Sequence, residues 1–155
     1  MRDSPDSELT PAECRDFRRL AGIMVPASTE YGVPGADDAV IFADILRSLG
    51  RDLGEVRRAL ATLRAISDGS FADLEPARAE IIAAALLNQD GPMMNALGRA
   101  VLQCYYRDDR VFRSIGREPR PPFPKGHEVE QGDWSLLDAV RGRPRMWRDI
   151  DGVGT

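Results

Sequence analysis

The sequence predicts an all-α protein: a bundle-like domain of five or six helices, followed by a long extended, proline-rich C-terminal arm. Three observations lead to this fold class. Apolar residues recur at three- and four-residue spacings in successive segments, no segment alternates as a strand does, and the last third loses both periods while gaining prolines. We therefore place a helical domain at residues 1–116 and the arm at 117–155, with one short helix in the arm and both parts in the same structural unit.

The composition is that of an ordinary globular chain. Of the 155 residues, 43% are apolar and 30% are charged, which argues against a disordered chain. The formal net charge of -4 gives too little positive potential for nucleic acid to be the main partner. The N-terminal segment carries acids and prolines but no apolar run, so it resembles neither a signal peptide nor a membrane span. As written, the chain is expected to be cytoplasmic, and periplasmic only if it has been processed or trimmed.

The first helix has the clearest start signal. Thr10 is placed to be its N-cap, Pro11 occupies the first helical position, and Glu13 closes a capping box. The apolar pattern continues to about Met24, and Pro26 ends it. The turn formers that follow predict a loop.

Capping residues, prolines and apolar spacing predict four more helices. They are placed at 39–49, 53–66, 76–87 and 92–105. In the first of these, either Ile41, Ile45 and Leu49 or Val40, Phe42 and Leu46 mark a broad apolar face, and in the second the core face consists of Leu53, Val56, Leu60 and Leu63. The segment GSFADLEP, with Phe71 and Leu74, is predicted to be a short apolar plug before the helix at 76–87. Residues 107–115 form a candidate sixth helix carrying Val111, Phe112 and Ile115, and Asp133 is a candidate N-cap for a short helix at 134–140.

The chain offers few groups for catalysis. His127 is the only histidine, and the sequence does not match it to the partners that a catalytic triad needs. The acidic pairs at 37–38 and 108–109 are expected to cap helices rather than to bind metal. Cys14 and Cys104 lie far apart and outside any metal-binding motif, so both are expected to be small buried residues. We expect no catalytic, cofactor-binding or metal-binding residue in this chain.

The C-terminal third has the composition of a binding surface. Both tryptophans, two of the three tyrosines and five of the eleven prolines fall between residues 105 and 148. Trp, Tyr and Arg are the side chains most enriched at binding hot spots, and a long irregular arm needs a surface on which to lie. The predicted partner interface consists of Tyr105, Tyr106, Arg110, Arg120, Pro121, Pro122, Phe123, Trp134, Leu136, Leu137 and Trp147.

Two alternatives remain for this surface. The arm could fold back over its own bundle, an alternative that is strongest for Tyr105 and Tyr106 because they close a helix. The segment EPRPPFP at 118–124 could instead be a ligand for a small aromatic-groove module. That second alternative would give no role to the flanking YYRD and WSLLD segments.

Several motifs, taken together, resemble the gluconate 2-dehydrogenase subunit 3 family, the small helical subunits of flavin-dependent sugar and alcohol dehydrogenases. The resemblance covers nearly the whole chain. Its motifs are, in order, LTPAE at 9–13, MVPAS at 24–28, GSFADLEP at 69–76, YYRDDRV at 105–111, RPPFP at 120–124 and DWSLLD at 133–138.

The resemblance implies a large partner subunit of the glucose-methanol-choline oxidoreductase type, which would hold FAD and remove hydride from a hydroxyl of a sugar or another alcohol. The small subunit would contribute no catalytic residue and would support the folding, stability or export of the large one. An electron-acceptor protein is a further partner that such a complex admits. This chain lacks the twin-arginine signal of many members, which favours a cytoplasmic complex.

Two other functions are alternatives to this one. The first is an independent helical adaptor or regulator that binds an unrelated protein through its C-terminal arm. The second is a small enzyme in its own right, which the missing base and nucleophile disfavour.

Overall fold

A computed structural model describes residues 8–121, 123, 126 and 130–144 of the chain. Within these ranges every regular element is helical, with seven α-helices, three 3-10 turns and one isolated β-bridge between Ser28 and Val33. The all-α class is therefore confirmed. The chain divides into two compact units, Met1–Pro119 and Arg120–Thr155. The extended course of the arm, and its membership of one structural unit with the helices, stay predictions.

Six of the helices belong to the first unit. They are α1 (Pro11–Met24), α2 (Ala39–Ser48), α3 (Leu53–Ser67), α4 (Pro76–Leu87), α5 (Pro92–Tyr105) and α6 (Asp109–Ser114). Helix α5 packs against both α2 and α3, α3 also packs against α4, and α1 contacts α3 and α4. Helices α3 and α5 thus form the centre of the bundle, and the predicted bounds of the first five helices agree with the structure to within one residue.

Prolines and short polar side chains set the helix starts as predicted. Helices α1, α4 and α5 each begin at a proline, where the missing N–H would have no partner inside the helix. The hydroxyl of Thr10 accepts a hydrogen bond from the Glu13 N–H at 3.2 Å, and the Thr10 N–H donates to the Glu13 carboxylate at 2.7 Å. Asp38 caps α2 and Asp108 caps α6, which confirms the capping role expected of the acidic pairs.

One apolar cluster forms the core of the helical unit. Its largest fully buried side chains are Phe17, Leu20, Ile41, Ile45, Val56, Leu63, Phe71, Leu86, Leu97, Val101 and Cys104. Cys104 is buried as predicted, while Cys14 is only half-buried. Burial raises the pKa of both thiols, which lowers the fraction present as reactive thiolate.

The predicted plug forms a 3-10 turn, Phe71–Asp73, that closes one side of the core. Phe71 is completely buried, and the Arg19 guanidinium lies 5.8 Å from the centre of its ring. Arg19 also donates to the Ala72 carbonyl at 2.5 Å. The buried carboxylate of Asp16 accepts hydrogen bonds from the Ala72 N–H at 2.7 Å and from the Ser70 hydroxyl at 3.3 Å. Because a buried carboxylate is costly unless it is hydrogen-bonded, these contacts join α1 firmly to the plug.

Two short stretches differ from the predicted apolar faces. Helix α2 buries Ile41 and Phe42 but leaves Val40 exposed at its first turn. Helix α6 is shorter than the predicted 107–115, and it buries Val111 while Ile115 lies exposed just beyond its end. Val111 and Ile115 are four residues apart and would share a face of a longer helix, but α6 ends at Ser114, so Ile115 lies beyond the helix and is not buried.

Candidate partner-binding surface

The clearest group of exposed apolar residues in the second unit lies in Asp133–Arg141, here called the WSLLD segment. A 3-10 turn, Trp134–Leu137, leads directly into the single turn of α7, Asp138–Arg141. This agrees with the predicted short helix at 134–140. Its exposed apolar side chains are Trp134 (61% exposed), Leu136 (75%), Leu137 and Val140.

Local hydrogen bonds hold the backbone of the WSLLD segment in its turn. The Asp133 carboxylate accepts from the Ser135 hydroxyl at 2.6 Å and from the Ser135 N–H at 3.0 Å, and these bonds lower the pKa of Asp133. The indole N–H of Trp134 donates to the Gln131 side chain at 3.2 Å. Asp133 is thus the N-cap that the sequence predicts, and the segment presents its apolar side chains from a turn with its own internal support.

The other predicted interface residues of the second unit are described only in part. Phe123 is 83% exposed, and Pro121 is exposed as well. Arg120 donates to the Gly126 carbonyl at 2.7 Å. Pro122 and Trp147, like His127, lie outside the described residues.

The adjacent tyrosines at the end of α5 have opposite environments. Tyr105 is buried in the core of the helical unit, whereas Tyr106 is 52% exposed. Their rings meet edge to face, with centroids 5.4 Å apart and an angle of 84° between the planes. Burial raises the pKa of Tyr105. Tyr105 lies on the same face of α5 as the buried Leu97 and Val101, eight and four residues earlier, whereas Tyr106 is the C-cap residue of the helix. Of the two, Tyr106 has by far the larger exposed surface.

Arg110 is engaged within the helical unit itself. Its guanidinium lies 2.9 Å from the Asp108 carboxylate and 2.8 Å from that of Asp38, which is 72 residues away in sequence. The hydrogen bonds from Arg110 lower the pKa of both carboxylates, and the two carboxylates raise the pKa of Arg110. Arg107 makes a similar ion pair, in which its Nε–H donates to the Asp44 carboxylate at 3.0 Å. These arginines fasten α6 and the end of α5 to α2, and the partner contact predicted for Arg110 stays a prediction.

Stability of the helical unit is expected to fall in acid, in part through Arg110. The folded-state pKa values of Asp38 and Asp108 are lowered, so their contribution is present above the unfolded pKa of aspartate, about 3.9, and is lost as pH falls through the folded values. Because these pairs are partly exposed, each contributes at most about 1 kcal/mol. Thermal unfolding measured from neutral to acidic pH should show a weaker acid loss in Arg110→Gln than in wild type.

The matched control for this measurement is Arg117→Gln. Arg117 is an exposed arginine close to the end of α6. Its variant should follow the wild-type pH curve. Superimposable curves for wild type and Arg110→Gln would contradict the role given to this network.

A cleft that the sequence analysis did not predict opens beside Tyr106. It has a volume of about 300 Å³ and is lined by Tyr31, Val33, Tyr105, Tyr106, Val111, Ser114 and Ile115, and it is called the tyrosine cleft here. Tyr31 is 67% exposed and comes from the loop after α1, in which Ser28 and Val33 exchange two backbone hydrogen bonds of 3.0 Å. The only sign of this cleft in the sequence is Tyr31, a tyrosine among turn-forming residues. No local sequence pattern indicates that Tyr31 lies next to the end of α5.

The described residues contain no group of three or more His, Cys, Asp and Glu side chains that could hold a metal ion. Within the same ranges, no helix has both the length and the apolar character needed to cross a membrane. Comparison of the chain with protein-family models, with curated proteins and with solved structures gave no match in any of the three.

Proposed function

We propose that the chain is a small accessory subunit that binds and stabilises a large FAD-dependent oxidoreductase of the glucose-methanol-choline type, acting on a sugar or another alcohol. The ordered motifs from LTPAE to DWSLLD suggest the class of partner. The observation that carries the binding role is the WSLLD segment, where Trp134, Leu136 and Leu137 are exposed on a turn held by local hydrogen bonds.

The energetics of this segment favour association. Burying a large apolar side chain that is otherwise in water contributes about 1.5–3 kcal/mol. The cap at Asp133 and the indole hydrogen bond of Trp134 already hold the turn, so less ordering entropy has to be lost on binding. A contiguous exposed apolar patch on a soluble protein typically marks an interaction site.

The proposal divides the work between two chains. FAD, the substrate pocket and the groups that remove hydride are assigned to the large subunit. The small subunit contributes binding surface, with the WSLLD segment as one anchor and Arg120 to Phe123 as another, so that complex formation stabilises the folded large subunit by mass action. An electron-acceptor protein is a further partner of such a complex.

Purification of the tagged chain from its native cells tests this proposal. A large protein with a bound flavin should co-purify and should give a yellow preparation with a flavin absorbance spectrum. Co-expression of that protein with the chain should then raise its soluble, flavin-loaded yield several-fold over expression with an empty vector.

The outcome also separates this function from its alternative, an independent adaptor that binds an unrelated protein through the arm. A stable partner without flavin would support the adaptor. A flavoprotein whose yield is the same with and without the chain would contradict the stabilising role.

A further inference from the structure

We propose that the tyrosine cleft binds an extended, proline-containing segment of a partner protein. The cleft belongs to the helical unit and is built from residues 31–33 and 105–115. It is a different surface from the WSLLD segment. The proposal therefore does not depend on whether the large partner is a flavoprotein.

The walls of the cleft are fixed before any ligand arrives. Tyr105 and Val111 are buried and form part of its lining, and the edge-to-face contact with Tyr105 orients the ring of Tyr106. The paired backbone hydrogen bonds of the 28–33 loop hold the Tyr31 side, while the ion pairs of Arg110 hold α6. A preformed site loses little conformational entropy on binding, so even a small cleft can contribute affinity.

The lining selects an uncharged ligand. No side chain that lines the tyrosine cleft carries a charge, so the cleft lacks the cationic donors that phosphate groups or carboxylates require. Its volume of about 300 Å³ lies at the lower limit of small-molecule sites. That size suits one or two side chains of a peptide better than a nucleotide or a flavin.

The polar groups at the cleft are hydroxyls, which match the main chain of an extended peptide. The hydroxyls of Tyr31 and Tyr106 make no hydrogen bond to any described residue, whereas the Ser114 hydroxyl donates to the Val111 carbonyl at 2.7 Å. A polyproline II segment leaves its carbonyls unpaired and so offers acceptors to both tyrosines. Its flat rings also pack well on aromatic faces, and its stiffness limits the entropy lost on binding.

The test is a titration of the isotope-labelled full chain with a polyproline peptide, followed by amide chemical shifts. Saturable shifts are expected at residues 28–33 and 105–116. Tyr31→Ala and Tyr106→Ala should each weaken binding about tenfold or more. Tyr106→Phe should retain part of the affinity because it removes only the hydroxyl.

Ile81→Ala is the matched control, since Ile81 is 70% exposed on α4 and does not line the cleft. It should bind the peptide like wild type. Circular dichroism of each variant establishes that the helices remain folded. The proposal is overturned by an absence of saturable shifts, by shifts confined to other residues, or by equal binding of an alanine peptide of the same length.

A second copy of this chain is the competing occupant, because residues 119–124 contain four prolines. If it occupies the cleft, the same amides should shift with protein concentration in the absence of peptide. Sedimentation should then detect a dimer that Tyr106→Ala abolishes. That result would replace the separate partner with self-association and so overturn the proposal.

Discussion

Replacing Trp134 and Leu137 together by alanine is expected to abolish co-purification of the large partner. Both side chains are exposed in the free chain and belong to the predicted anchor. Truncation of an interface hot spot costs at least about 2 kcal/mol, so two of them correspond to roughly a thousandfold loss of affinity if their effects add. The amount of partner retained on the tagged double variant measures this loss.

The double variant should leave the chain folded. Exposed substitutions usually change the free energy of unfolding by no more than about 0.5 kcal/mol, so the circular dichroism spectrum and the melting temperature should remain close to wild type. Ile81→Ala removes an exposed apolar side chain from α4 and should retain the partner in full. Full co-purification by the double variant would show that the WSLLD segment is not the anchor.

Phe71→Ala is expected to cause the largest loss of stability. The side chain is completely buried in the plug between α1 and α3, and its ring faces the Arg19 guanidinium. Truncating a buried phenylalanine removes its transfer free energy and leaves a cavity, which together cost about 3–5 kcal/mol. That is a large part of the free energy of unfolding of a typical domain, about 5–15 kcal/mol. Urea unfolding of the variant and of wild type measures the difference.

Phe123→Ala is the control for this variant because the same side chain is lost from a surface position. Its unfolding free energy should stay within about 0.5 kcal/mol of wild type, whereas Phe71→Ala should unfold at a clearly lower urea concentration. Similar effects of the two substitutions would show that the plug is not part of the cooperative core.

The helix bounds could be read from the sequence because their signals are local. A proline at the first position fixes the starts of α1, α4 and α5, and the hydroxyl and carboxylate of Thr10 and Glu13 form the expected capping box. Apolar spacing then gives the core face of each long helix. In α3 it correctly indicates Val56, Leu60 and Leu63.

The candidate sites were harder to predict because they depend on distant contacts. Tyr105 continues the four-residue spacing of Leu97 and Val101 and is buried with them, whereas Tyr106 is the C-cap residue of α5. This spacing distinguishes the two tyrosines, although both were predicted to be interface residues. The pairing of Arg110 with Asp38 joins positions 72 residues apart and becomes visible only once α6 is placed on α2. The short helical turn of the WSLLD segment was easier to predict, since its N-cap, Asp133, is a local signal.

The tyrosine cleft is built from two separate stretches of the chain, and this limits how ligand binding to it can be studied. Tyr31 stands in the loop after α1, while Tyr106 and Ile115 flank the last helix of the same unit. A synthetic fragment that spans either stretch alone contains only part of the walls. Whatever binds there recognises a conformational epitope, so arrays of short overlapping peptides cut from this chain are expected to miss it.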